Sequence, residues 1–152
     1  MPYFAAVFAS TDEGWVATEA DLTESEAPDD VTDLMREVAL EAVGDPVLLL
    51  IEENDAWFAV VRLDGEEDPR IFVSDASAAQ GSGLGGLLFE LVTEGVEVKT
   101  DGDPAGDPTL LDDLGITPVK LLDLGERAVP TDALAEVAEG AGFTEELDSL
   151  RV

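Results

Sequence analysis

Apolar and polar positions near the start of the chain predict a hairpin followed by a helix. Residues 3–10 are apolar on both faces, which indicates a strand, and residues 15–19 return as a shorter strand after the turn at 11–14. From 31 to 43 the apolar residues recur at helical spacing on one face, and Gly44 ends the segment. The first elements are therefore predicted to be strand, strand and helix.

A second group of strands follows this helix. Residues 47–51 are a continuous apolar run closed by polar turn residues, which favours a buried strand over a helix. Residues 56–63 are the predicted hairpin partner of this strand, and residues 70–74 are a third strand. Residues 76–92 predict a second helix, whose start is weakened by several glycines.

The sequence changes character after residue 92. Residues 93–108 are rich in Gly, Pro and Asp and predict an acidic linker, and residues 109–152 predict only short helices. One of these begins at Thr117-Pro118, where a capping hydroxyl precedes a proline suited to the first helical position.

This order predicts an α+β fold. We expect an antiparallel sheet of about five strands, in the order ββαβββα, with helices on one face and a short C-terminal helical appendage. The expected organisation is an α+β domain at 1–92, a linker at 93–108 and a small helical segment at 109–152.

The charge of the chain limits its chemistry and its partners. It carries 36 Asp and Glu against 7 Lys and Arg, for a net charge of −29, and it contains neither His nor Cys. Zinc deaminase, Ser–His–Asp and Cys–His chemistry lack their essential residues, and phosphate or anionic lipid would be repelled. We expect a cytoplasmic, non-enzymatic protein without cofactor that binds a basic partner. The same acidity would also suit a high-salt environment, and the sequence leaves both explanations open.

An acidic stretch has part of the spacing of a calcium-binding loop. Asp101, Asp103 and Asp112 would occupy the first, third and twelfth positions of an EF-hand. However, Ala105 takes the place of a ligand, and the last position lacks the longer glutamate that binds in bidentate fashion. We therefore expect a solvated linker and no metal site here.

One strand pair offers candidate partner contacts. Trp57 and Phe58 are expected mainly in the core, but Phe58 and Arg62 would be interface anchors if one face of their strand were exposed. Arg62 and Arg70 are also expected to pair with acids of the loop between them. The candidate partner-binding residues are therefore Phe58, Arg62, Glu66, Glu67, Asp68 and Arg70.

Several blocks of the chain resemble the tRNA adenosine deaminase-associated protein family of actinobacteria. They are residues 3–7 with Gly14-Trp15, WFAVVR at 57–62, EDPRIFVSDA at 67–76, and the tail from Asp132 to Leu147. The resemblance implies a gene neighbour of the tRNA adenosine deaminase and a GC-rich genome that would explain the many Ala and Gly residues. It supplies no catalytic residues.

Three functional hypotheses remain open at this stage. The preferred one is a non-catalytic accessory protein that binds a tRNA adenosine deaminase, since an anionic surface steers a cationic protein toward it. The second is an inhibitor or regulator that mimics nucleic acid with its carboxylates. The third is a small-molecule-binding domain with a pocket near Trp15 or Trp57.

Overall fold

The computed structural model shows an antiparallel sheet with helices on both of its faces. It describes residues 3–12, 14–19, 28–42, 47–53, 57–63, 70–74, 105–106, 109–127 and 130–150. The helix predicted at 76–92 lies outside the described residues. No helix within these ranges is long and apolar enough to cross a membrane.

The sheet has six strands in the order β2-β1-β3-β4-β5-β6, and every neighbouring pair is antiparallel. The strands are β1 (Tyr3–Thr11), β2 (Gly14–Glu19), β3 (Val47–Glu53), β4 (Trp57–Leu63), β5 (Arg70–Val73) and β6 (Ala105–Gly106). The five predicted strands are confirmed, as is the α+β class. The two-residue β6 lies within the segment expected to be a linker, and its single dipeptide gives no periodicity from which to predict a strand.

Four α-helices are described, α1 (Pro28–Ala42), α2 (Pro118–Arg127), α3 (Pro130–Ala141) and α4 (Thr144–Leu150), together with a 3₁₀ helix (Asp112–Leu114). The predicted start of α2 is confirmed, because the Lys120 backbone N–H donates to the Thr117 hydroxyl at 3.1 Å. Helix α3 ends at Ala141, and the next residue, Gly142, has a φ of 95° and donates its N–H to the Ala138 carbonyl.

Helix α1 covers one face of the sheet. Val31, Met35 and Val38 are spaced to lie on one side of the helix, and all three are buried against alternate residues of β1, such as Ala5 and Val7. The intervening β1 residues point to the opposite face, since side chains alternate along a strand. One layer of the core is therefore built from α1 and the sheet.

The C-terminal helices cover the opposite face of the sheet. Leu121 of α2, Leu134 of α3 and Phe143 share one buried cluster with Phe8 of β1 and Leu50 of β3. The sheet is thus apolar on both sides, which explains why its central strands are continuous apolar runs. The predicted C-terminal helices are present, but they cover the second face of the sheet, whereas helices were expected on one face with the C-terminal ones as an appendage. Helical spacing identifies an apolar stripe and not the surface it meets.

Candidate interaction surface

The aromatic residue proposed as an interface anchor is part of the core. Phe58 is only 1% exposed, and its ring lies 6.1 Å from that of Phe72 between the sheet and the C-terminal helices. Its neighbour Trp57 is equally buried on the α1 side. The expectation that both aromatics pack in the core is confirmed, and Phe58 presents no surface to a partner in this conformation.

Arg62 is also buried, and its charge is neutralised inside the molecule. Its guanidinium donates to both carboxylate oxygens of Asp113, at 2.5 and 2.8 Å, and to the Leu110 carbonyl at 2.6 Å. The side chain of Arg62 is 6% exposed, whereas that of Asp113 is 62% exposed. The pair joins β4 to the 3₁₀ helix, and its two residues are 51 positions apart in the sequence. Like Phe58, Arg62 offers a partner no accessible surface here.

The hydrogen bond from Arg62 lowers the pKa of Asp113 below its usual value. Slight burial acts in the opposite direction, and the charges of Arg62 and Arg70 lower the pKa further. Arg70 stands directly opposite Arg62 in the β4–β5 register and is half-buried. Asp113 therefore offsets a repulsion between two facing cations.

Sequence reasoning missed Asp113 as the partner of Arg62. It expected the acids Glu66, Glu67 and Asp68, which lie outside the described residues, as do Asp101 and Asp103. With 36 acidic residues in the chain, no spacing rule singles out one that is brought close only by tertiary packing. Asp112 is exposed at the start of the 3₁₀ helix, and among the residues described no group of three His, Cys, Asp or Glu is placed to hold a metal.

The two tryptophans considered for a ligand pocket are both packed against protein. Trp15 is half-buried, its indole N–H donates to the Ala141 carbonyl at 3.2 Å, and its ring meets Phe143 edge-on at 5.0 Å. Trp57 is buried in the α1-side core, where its Nε1 has no partner within the described part of the chain.

The outer surface of the described structure is anionic. Arg36 and Lys120 are exposed, and each is ion-paired, with Asp33 at 3.8 Å and with Glu136 at 3.5 Å. Exposed carboxylates, in contrast, occur on both faces of the sheet. They include Asp12, Glu19, Glu37, Asp112, Asp123, Asp132, Glu139, Glu145 and Asp148.

Exposed apolar side chains are few and scattered. The large ones within the described ranges are Val16 on β2, Leu40 on α1, and Val119 and Leu122 on α2. Isolated apolar residues of this kind are ordinary on a protein surface. A shallow depression of about 250 Å³ lies between β2 and α4, lined by Ala17, Glu145, Glu146 and Ser149.

Fold and surface together define an α+β protein with a helix-covered antiparallel sheet and a carboxylate-rich exterior. The chain belongs to the Rv3753c-like tRNA adenosine deaminase-associated protein family, whose model matches residues 3–144. The resemblance found in the sequence is thereby confirmed. The match extends from β1 through α3, so it includes two of the helices on the second face, α2 and α3, and it ends at the first residue of α4. No significant match was found among curated proteins or among solved structures.

Proposed function

We propose that this protein is a non-catalytic accessory partner of a tRNA adenosine deaminase and binds a basic surface of that enzyme. The observation that carries the proposal is the separation of charges on the described surface. Arg36, Arg62 and Lys120 are each engaged by a carboxylate of the chain itself, whereas many other carboxylates point outward. Such a surface attracts a cationic protein and repels nucleic acid.

The proposed partner has the complementary property. An enzyme that binds tRNA carries many Lys and Arg side chains, and we propose that this protein binds basic residues that lie outside the tRNA-contacting patch. Family membership supports association with the deaminase, and the absence of His and Cys removes the residues of the deaminase reaction from this chain. The absence of Cys also suits the reducing cytoplasm, where we propose that the complex forms.

Isothermal titration calorimetry of the full-length protein with purified deaminase tests this proposal. We expect binding at micromolar concentration or tighter and an affinity that falls as salt is raised from about 0.05 M to about 0.5 M. The absence of binding at the low salt concentration would contradict the proposal.

A competition experiment separates this proposal from nucleic-acid mimicry. An accessory protein forms a ternary complex with the deaminase and its tRNA, so the deaminase should retain its tRNA affinity. A mimic would displace tRNA from a shared site. Gel filtration of the three components distinguishes these outcomes, because a ternary complex elutes with all three together.

A further inference from the structure

Among the described strands, the sheet ends at β2. Within the described structure β2 pairs with one strand, β1. Backbone N–H and C=O groups of alternate β2 residues therefore point away from β1, which is the arrangement that accepts an added strand. Val16, Thr18 and Glu19 are all exposed. We call the outer side of Gly14–Glu19 the β2 edge.

The β2 edge is held in a fixed conformation by its neighbours. The Thr11 hydroxyl donates to the Gly14 carbonyl at 2.6 Å, which braces the turn before β2. Trp15 is anchored to the Ala141 carbonyl and to the ring of Phe143, and Phe143 is itself stacked on Phe8 at 4.3 Å. A strand that is already ordered loses little further conformational freedom when a peptide pairs with it.

Sheet edges in natural proteins are commonly blocked by lysine, proline or a bulge. Neither Lys nor Pro occurs in β2, whose sequence is GWVATE, and its pairing with β1 runs without interruption from Gly14 to Glu19. The β2 edge thus lacks these common blocking features, and its six residues are long enough to pair with a short extended segment.

Carboxylates beside the β2 edge determine which charge a segment that pairs there should carry. The depression next to Ala17 is lined by Glu145, Glu146 and Ser149, and Glu19 ends the strand. Neither β2 nor α4 contains a Lys or Arg. A depression bordered by two carboxylates and a hydroxyl suits an ammonium or guanidinium group.

The same charges disfavour a second copy of this chain as the occupant. Edge-to-edge pairing of two β2 strands would bring two sets of carboxylates together, and like charges across a strand pair are destabilising. An extended basic segment of another protein would instead neutralise them. Charge complementarity therefore points to a cationic peptide segment and away from self-association.

We propose that the β2 edge binds an extended basic segment of the partner protein as an added strand, with a Lys or Arg side chain in the depression against Glu145 and Glu146. Main-chain hydrogen bonds supply affinity in this mode, and the side-chain pocket supplies specificity. The identity of the partner rests on the function proposed above, whereas the mode of binding rests on the edge itself.

Two matched pairs of full-length variants test the proposal against the deaminase by calorimetry. Val16→Lys places a cation on β2, on the face of the strand opposite Ala17, and Val119→Lys makes the same change on α2. We expect the first to weaken binding at least about tenfold and the second by less than about twofold.

The double variant Glu145→Gln/Glu146→Gln should weaken binding by about fivefold. The matched variant Glu37→Gln/Glu139→Gln removes the same charge elsewhere on the surface and should change binding by less than about twofold.

A peptide probe tests the edge independently of the deaminase. A synthetic peptide of alternating Arg and Val is titrated into the isotopically labelled full-length protein, and amide chemical shifts are followed by NMR. We expect shifts concentrated on β2 and α4, which Val16→Lys abolishes, and no shifts with an alternating Glu and Val peptide.

The outcomes of the calorimetry, of the peptide titration and of sedimentation of the wild type and Val16→Lys are distinguishable. Equal deaminase binding by wild type and Val16→Lys would overturn the edge proposal and leave the accessory function standing. No deaminase binding, together with Arg–Val peptide shifts on β2, would overturn the accessory function and support the edge. A peptide that causes no shifts on β2, or sedimentation showing a dimer that Val16→Lys dissociates, would overturn the edge proposal.

Discussion

The two ends of the sheet use charge in opposite ways. At the β4–β5 end the charged group is turned inward, since Arg62 is buried and held by Asp113 and the Leu110 carbonyl. At the β2 end the charged groups, such as Glu19 of β2 and Glu145 of α4, are exposed. Neither β2 nor α4 contains a Lys or Arg that could pair with them. Asp113 thus contributes to the fold, while many other described carboxylates remain at the surface.

The two ends also differ in their outermost strands, since β6 has two residues and β2 has six. At the β4–β5 end the Phe58 N–H donates to the Ser74 hydroxyl at 2.9 Å, the Ser74 N–H donates back to the Phe58 carbonyl, and β6 adds a further pairing. At the β2 end, Trp15 is supported by Phe143 on one face of the strand, and the outer edge of β2 pairs with no other described strand. We infer that the first end maintains the fold and that the second is available for binding.

The largest expected effect comes from removing the support of β2. Phe143→Ala deletes the ring that is stacked on Phe8 and contacts Trp15, so it should lower the free energy of unfolding by about 4 kcal/mol. Urea unfolding followed by tryptophan fluorescence measures the loss. Val119→Ala, at a position 77% exposed, is the control and should stay within about 0.5 kcal/mol. A loss below about 1 kcal/mol for Phe143→Ala would contradict the proposed packing.

A smaller effect is expected at the opposite end. Arg62→Met keeps most of the aliphatic length but removes the donors to Leu110 and Asp113, so the free energy of unfolding should fall by about 2 kcal/mol. The matched change Arg36→Met breaks only an exposed pair with Asp33 and should cost less than about 0.5 kcal/mol. Equal losses in the two variants would mean that the Arg62 pair is no more than a surface interaction.

The pH dependence of stability should identify the contribution of Asp113. Because Arg62 lowers the pKa of this carboxyl in the folded state, its stabilisation is present above the unfolded pKa of about 4 and is lost as pH falls through the folded pKa. Asp113→Asn should therefore cost about 1 kcal/mol at neutral pH, a figure kept small because the carboxylate is largely exposed, and the cost should shrink below about pH 4. Urea unfolding at several pH values measures it, with Asp112→Asn as the neighbouring control. A cost that does not change with pH would contradict the assignment.

The smallest effect on stability is expected at the β2 edge. Val16 is exposed, so Val16→Lys should change the free energy of unfolding by less than about 0.5 kcal/mol while it weakens partner binding. Thermal unfolding of the variant and the wild type checks this. A loss above about 2 kcal/mol would show that the β2 edge is needed for the fold, and the contrast between the two ends would then disappear.

Local patterns were sufficient to predict most of the described elements. The apolar runs that became β1, β3 and β4 are strong signals because both faces of the sheet are buried, and helix α1 has a clear stripe at Val31, Met35 and Val38. The N-cap at Thr117 was also predicted from the sequence. These features are determined by residues close together in the sequence, so local sequence patterns are sufficient to predict them.

The missed features depend on contacts between distant parts of the chain. The placement of Phe143 against Phe8, and the pairing of Arg62 with Asp113, arise only when the C-terminal helices meet the second face of the sheet. Phe58 was expected mainly in the core, and its alternative role as an interface anchor is removed because the C-terminal helices cover that face. The exposure of the β2 edge likewise follows from strand order, which local periodicity does not reveal.

Hydrogen–deuterium exchange of the full-length protein with and without saturating deaminase tests the contrast between the two ends most directly. Added protection should concentrate on Gly14–Glu19 of β2 and on α4, while β5 and the 3₁₀ helix at Asp112–Leu114 should exchange at unchanged rates. Protection confined to β5 and the 3₁₀ helix, or no change anywhere in the chain, would contradict the account.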